Sequence, residues 1–237
     1  MASMNKFPTY PRISKSRFRS WNEEMFIRYN NERVYYNKNP IIRFVERKRV
    51  EAIIKFLQPL SSSDQILAAG CGEGYIENKI PIGKITLVDL SKEAIRRAKS
   101  NSNRQKDKKF IVADLEHLPF AKSSFDKIEC SEVIEHVYSP KSLLSELHRV
   151  LKPNGSLVIT FPNEPFINLI KKFFIFLRVF HFFFPNVPKN MVEEWHLRSY
   201  DLSSFRKDSG HLWKIENIQG VPFNFSPIRY VVLCKKL

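Results

Sequence analysis

Glycine is scarce in this chain, with 7 among 237 residues, and cysteine is scarcer, with 3. Globular proteins carry roughly 7% glycine, so a glycine-based fibrous or low-complexity architecture is excluded. Cys71, Cys130 and Cys234 are odd in number and lack metal-ligand spacing. That argues against a disulfide framework and for a reduced, cytoplasmic setting. Acids are missing from the first 20 positions, which hold Lys6, Arg12, Lys15, Arg17 and Arg19. An apolar core of the signal-peptide type is missing there too, and Pro8 and Pro11 argue against a helix or a transit peptide. No apolar run is both long and uncharged. The strongest, 166–184, contains Lys171, Lys172 and Arg178 and so makes a poor membrane span. There is no internal repeat.

What remains is an apolar content of 43%, enough for one domain with a sizeable core and a lid. The net charge is +15, and residues 1–60 hold thirteen Lys/Arg against five Asp/Glu. A basic N-terminal arm over 1–38 and a domain over 39–237 follow as the division. The arm reads as a solvated tail or as a surface attracted to anionic lipid or RNA. In Ile41 to Leu57, apolar positions alternate with Arg43, Arg47, Lys48, Arg49 and Lys55, predicting an amphipathic helix stopped by Pro59.

Three of the seven glycines fall at alternate positions, Gly70, Gly72 and Gly74, directly after the apolar run Gln65–Ala69. A backbone without Cβ atoms can wrap closely around a ligand, and Asp89, at the end of the next apolar run, can hold a ribose diol. A dinucleotide fingerprint would need a third glycine at Tyr75, so a different nucleoside cofactor is indicated. Strands are predicted at 85–89, 110–114, 125–130 and 156–160, with a helix start at Ser91-Lys92-Glu93 and a Pro/Asn/Gly turn at 153–155. The order of these segments resembles the class I S-adenosylmethionine-dependent methyltransferases, with some likeness to the ubiquinone-pathway O-methyltransferases.

That resemblance implies an α/β, doubly wound, Rossmann-like seven-stranded sheet with an antiparallel C-terminal hairpin and a helical lid inserted after strand 5. It implies S-adenosyl-L-methionine as cofactor, with Gly70, Cys71, Gly72 and Gly74 against its methionine part. Asp89 would meet the ribose, Asp114 and Leu115 the adenine, and Ser131 or Glu132 the sulfonium, with Leu90 also at the cofactor. One departure is Ala68, where the family usually has an acid that orients the cofactor's amino acid end. Losing one charge-assisted hydrogen bond costs ~1.5–3 kcal/mol.

For the acceptor, Glu132, Glu135 and His136 follow the fourth strand and would share a face if they began a helix. They are candidates for a divalent-cation site, as in the ubiquinone-pathway enzymes, and His136 is also a candidate general base. The segment 161–200 reads as an aromatic-rich lid or membrane contact, lining the pocket or lying among lipid headgroups. His196 and Tyr200 are candidates for the acceptor pocket. The expected activity is methyl transfer to a small apolar or lipid-linked acceptor, at a hydroxyl oxygen, by a protein that is cytoplasmic or peripheral to a membrane. The alternatives are a cofactor-free binding protein at a membrane or partner surface, and an RNA methyltransferase. The second lacks the Asn/Asp-Pro-Pro-aromatic signature of base-amino methylation.

Overall fold

Short apolar runs separated by amphipathic stretches assemble into one sheet with both faces covered. The structure, a computed structural model, describes residues 10–28, 39–102, 107–178 and 195–237. Its elements in chain order are α1 (Lys15–Arg28), α2 (Pro40–Leu57), β1 (Gln65–Ala69), β2 (Lys84–Asp89), α3 (Lys92–Asn101), β3 (Lys108–Val112), β4 (Phe125–Ser131), α4 (Pro140–Val150), β5 (Leu151–Pro162), α5 (Glu164–Phe176), α6 (Leu202–Ser209), β6 (Trp213–Phe223) and β7 (Ser226–Lys236). The strand order is β3-β2-β1-β4-β5-β7-β6. β1 to β5 are mutually parallel, and β7 pairs antiparallel with both β5 and β6. The doubly wound sheet with its closing hairpin is thus as expected from the sequence.

Local chemistry sets the helix starts. Asn39 caps α2 through its side-chain oxygen, with Pro40 in the first turn, and the Ser91 hydroxyl accepts from Ala94 N to cap α3. One sheet face buries Ile66, Ile85 and Leu87 against Ile53 and Leu57 of α2 and Ala98 of α3. The other buries Leu67, Ile128 and Ile159 against Leu143 and Leu147 of α4 and Phe205 of α6. Because the crossovers reverse between β1 and β4, a crevice opens beyond the carboxyl ends of β1, β2 and β4.

Two expectations need correction. Residues 15–28, read within a basic arm, form a helix whose Phe18, Trp21, Met25 and Phe26 are buried. Their i, i+3, i+7, i+8 spacing makes an apolar stripe, and Pro11 lies before the helix rather than in it. The helix expected over 166–184 ends at Phe176, after which Leu177 and Arg178 turn and Arg178 takes a positive φ of 57°. Residues 179–184, and most of the aromatic lid beyond, lie outside the described residues. Among the described residues no helix is long and apolar enough to cross a membrane.

Candidate active site

The first wall of the crevice is backbone. Gly70 N and Cys71 N both donate to Val88 O, at 2.8 and 3.0 Å, folding the loop after β1 over the end of β2. That path needs positive φ at Gly70, Gly72 and Gly74, of 79°, 52° and 77°. A Cβ on Gly70 would stand 2.3 Å from Val133 Cγ2, so bulk is excluded there twice over. Asp89 locks the loop: its Oδ2 accepts from Gly72 N and its Oδ1 from Ser91 N, each at 2.9 Å. Burial raises its pKa to about 6, against the lowering effect of those two N–H groups.

Gly70, Cys71, Gly72, Asp89, Leu90, Asp114, Leu115 and Ser131 all line one cavity. Asp114 is shaped by its own turn, with Oδ1 accepting from Glu116 N at 2.9 Å. Gly74, expected at the cofactor, is not among the lining residues. A Cβ there would meet Ala98 Cβ at 3.4 Å, so this glycine serves the close approach of α3.

Several lining residues escaped the sequence reading. Phe18, Asn22 and Phe26 of α1 close the cavity from above. The helix is docked by Glu23, whose carboxylate accepts from Lys92 N and Glu93 N at 3.0 and 3.1 Å, the exposed amide end of α3. The apolar spacing in 18–26 was the available signal. Glu77 and Glu129 also line the cavity, both 1% exposed. A lone glutamate in an apolar run signals nothing about which side it faces.

The second wall is made of long-range polar contacts. Glu132 does not start a helix: it has a positive φ of 54°, and residues 134–136 form a turn closed by His136 N to Val133 O at 2.9 Å. The one-face premise for Glu132, Glu135 and His136 therefore fails. Glu132 Oε1 accepts from the Thr160 hydroxyl at 2.8 Å and its Oε2 from Arg229 Nε at 2.7 Å. Burial would raise this carboxyl, but Arg229 and Arg49 outweigh it and lower the pKa. Arg229 continues to Glu46 Oε1 at 2.6 Å, and Glu46 Oε2 accepts from Arg49 Nη2 at 2.7 Å. With both oxygens engaged, Glu132 does not fit the expected cation set. The ligand atoms that converge instead are those of Glu135, His136 and His196, all within 4.8 Å of one another.

These three differ in state. Glu135 is buried, its carboxyl pushed well above the usual range by desolvation and then by Glu132. Desolvation, followed by His196, pushes His136 down to about 3, so it is neutral. Its Nδ1 stands 3.2 Å from Trp195 O; a carbonyl only accepts, so Nδ1 carries the proton and Nε2 the lone pair. His196 Nδ1 makes a short hydrogen bond to Glu164 Oε1, and Glu164 Oε2 accepts from the Tyr10 hydroxyl at 2.6 Å. The two imidazoles meet edge to face at 4.7 Å. His196 lines the cavity. Tyr200 does not: it is 1% exposed, packs edge-on against Phe161 and directs its hydroxyl to Asp208 Oδ2 at 3.2 Å.

The geometry fits S-adenosylmethionine. A glycine loop, a ribose-competent acid and buried carboxyl oxygens without partners face one cavity. The methyltransferase domain family matches residues 67–159. The chain is 31% identical over 172 residues to the mitochondrial ubiquinone biosynthesis O-methyltransferase of Schizosaccharomyces pombe, covering 69% of this chain and 60% of that protein. It is 27% identical to the ubiquinone/menaquinone biosynthesis C-methyltransferase UbiE of Wigglesworthia glossinidia brevipalpis, covering 68% and 67%. Several other curated relatives are matched over less than half their length. Among solved structures, the N-methyltransferase NodS of Bradyrhizobium japonicum WM9 in complex with S-adenosyl-l-homocysteine superposes with a TM-score of 0.65. It is 16% identical, with 92% of this chain and 97% of that one covered. The site geometry and these likenesses agree: residues 67–159 carry a methyltransferase domain, and the chain shares the fold of S-adenosylmethionine-dependent methyltransferases.

Proposed function

We propose that this protein transfers a methyl group from S-adenosylmethionine to the hydroxyl oxygen of a small apolar or lipid-linked acceptor. The observation that carries the reading is one cavity with two chemically distinct walls: Asp89 and the glycine loop on one side, His136 and His196 on the other. When bound, S-adenosylmethionine supplies a methyl group already activated on a sulfonium. The chain has only to align an acceptor oxygen and remove its proton.

His196 is the better base. Its Nδ1–H is held by the buried Glu164, which fixes the tautomer and would stabilise the imidazolium formed as Nε2 takes the proton. Desolvated His136 is a weak base and serves instead as a neutral wall and hydrogen-bond acceptor at Nε2. S-adenosylmethionine held by the glycine loop and Asp89 would supply the methyl group to the acceptor oxygen, its sulfur keeping the electron pair of the bond that breaks. The hydroxyl proton ends on His196, which leaves a neutral thioether and a neutral ether. The proton is given to His196 rather than to a divalent cation, because Glu132 is committed to Arg229, His196 Nδ1 is held by Glu164, and burial pushes the Glu135 carboxyl well above the usual range, towards its neutral form.

An apolar acceptor is supported by α5, which leaves the site at Glu164. Along it Leu169, Phe173 and Phe176 are 63%, 58% and 77% exposed, beside Lys171 and Lys172. Such a face suits an acceptor's hydrocarbon tail or an anionic membrane surface. The test is calorimetric titration with S-adenosylmethionine, then methyl transfer to a prenylated phenol scored by mass spectrometry, with and without EDTA. Binding followed by EDTA-insensitive O-methylation is expected. Failure to bind the cofactor would refute the reading, and transfer abolished by EDTA and restored by Mg2+ would replace the His196 base with a metal centre on Glu135, His136 and His196.

A further inference from the structure

Glu129 lies in the middle of the sheet, on β4, as the parallel register partner of Ala68 on β1. Register partners project on the same face, here the one covered by α2. Like charges directly opposite each other in a sheet repel, and two buried ones repel strongly. The Ala68/Glu129 pair therefore holds one carboxylate, on the β4 side, with a methyl group opposite leaving room beside it. Glu129 Oε1 has no hydrogen-bond partner although the residue is 1% exposed, and the same is true of Glu77 Oε2. Both residues line the cavity next to Gly70 and Gly72. An unmet buried carboxyl oxygen is costly, and two of them at one cavity wall call for a cationic ligand group.

The neighbouring cation of the chain, Arg49, directs two of its three guanidinium nitrogens elsewhere and acts on Glu129 through its charge. Arg49 faces Glu129, but its Nε and Nη2 are directed at Glu46 Oε2, at 3.0 and 2.7 Å. The cationic group that the cofactor brings to this end of the cavity is the ammonium of its methionine part. We propose that Glu129, supported by Glu77, is the binding residue for that ammonium, so that the acid absent from Ala68 on β1 is supplied from the adjacent strand. Glu129 is thus a binding residue and takes no part in proton removal from the acceptor.

This inference rests on the cofactor assignment above, so its test separates the two. Calorimetric titrations would use S-adenosylhomocysteine and its desamino analogue, which keeps the carboxylate and thioether but lacks the amino group. They would be run on the native chain, Glu129→Gln, and the swap Ala68→Asp/Glu129→Val, with a thermal melt of each. The native chain should prefer S-adenosylhomocysteine over the analogue by about tenfold to a hundredfold, the worth of a charge-assisted hydrogen bond. Glu129→Gln should lose that preference while binding the analogue within about threefold of native, and the swap should recover it. A native chain that binds neither ligand refutes the cofactor assignment and this inference with it. A native chain that binds both equally, or a Glu129→Gln variant that keeps the preference or weakens both ligands alike, overturns this inference alone. Should Glu129→Gln not fold, the swap decides. Recovered preference supports the proposal, and a folded swap that binds without preference overturns it.

Discussion

The two walls of the cavity are built on different principles. On the cofactor side, adjacent stretches of chain make the contacts: Gly70, Cys71 and Gly72 against Val88 and Asp89, and Asp89 against Ser91. On the acceptor side, Arg229 reaches Glu132 and Glu46, His196 reaches Glu164, and Glu164 reaches Tyr10, contacts between residues far apart in sequence. A wall made of backbone amides tolerates little change, because each N–H is needed and each φ is imposed. A wall made of side-chain ion pairs can be retuned one residue at a time, which is how one fold accepts different acceptors over a constant cofactor.

The sharpest break in that contrast is Asp89→Ala. It removes the proposed ribose contact and the acceptor of two backbone N–H groups, and calorimetry should record a loss of S-adenosylhomocysteine affinity of about 10²- to 10⁴-fold. Retention within tenfold would mean that the cofactor lies elsewhere. On the opposite wall, His196→Gln should lower kcat by about 10²- to 10⁴-fold, the usual worth of a general base, and leave cofactor affinity unchanged. His136→Gln should cost less. The reverse ranking in steady-state kinetics would make His136 the base.

Acid sharpens the comparison further. With ionised Asp89 as the proposed acceptor for the ribose, S-adenosylhomocysteine affinity should fall as pH drops through about 6, approaching tenfold per pH unit. Stability should not follow on this group's account. Because the folded-state pKa is raised above the ordinary carboxylate value, ionised Asp89 costs folding free energy above about pH 6, and that cost fades as pH falls towards 4. A melting temperature that collapses through the same window would show that affinity is lost by unfolding. The smallest effect belongs to α5. Phe173→Ser with Phe176→Ser, both at exposed positions, should change stability by only about 0.5 kcal/mol. The same change should raise KM for a prenylated acceptor severalfold and spare a short phenol, and equal effects on both acceptors would remove α5 from acceptor binding.

The parts legible in the sequence are those where a residue and its partner are near neighbours in the chain or obey a fixed period. Ser91 was readable as a cap because its partner is Ala94 N, and the β strands were readable because they are buried runs between turn residues. The parts misread depended on distance or on solvent. Pro8 and Pro11 obscured α1, although the stripe from Phe18 to Phe26 carried its helical period. The position of Tyr200 after the lid points to the pocket, whereas Phe161 and Asp208 hold it in the core. Gly74 belonged to the same alternation as Gly70 and Gly72 but faces α3. In the sequence Glu129 is one charge within a strand, with nothing local to mark it as facing a cavity.

By itself the sequence determined the doubly wound sheet, the glycine loop and Asp89, because hydrophobic period, turn chemistry and backbone freedom are local properties. Only the tertiary structure decided that Glu132 is bound to Arg229, that His196 is oriented by Glu164 and that Glu129 stands beside Ala68 with an unmet oxygen. Burial and ion pairing arise between residues far apart in sequence, and the protonation state of a carboxyl or imidazole is fixed by what surrounds it rather than by its place in the chain.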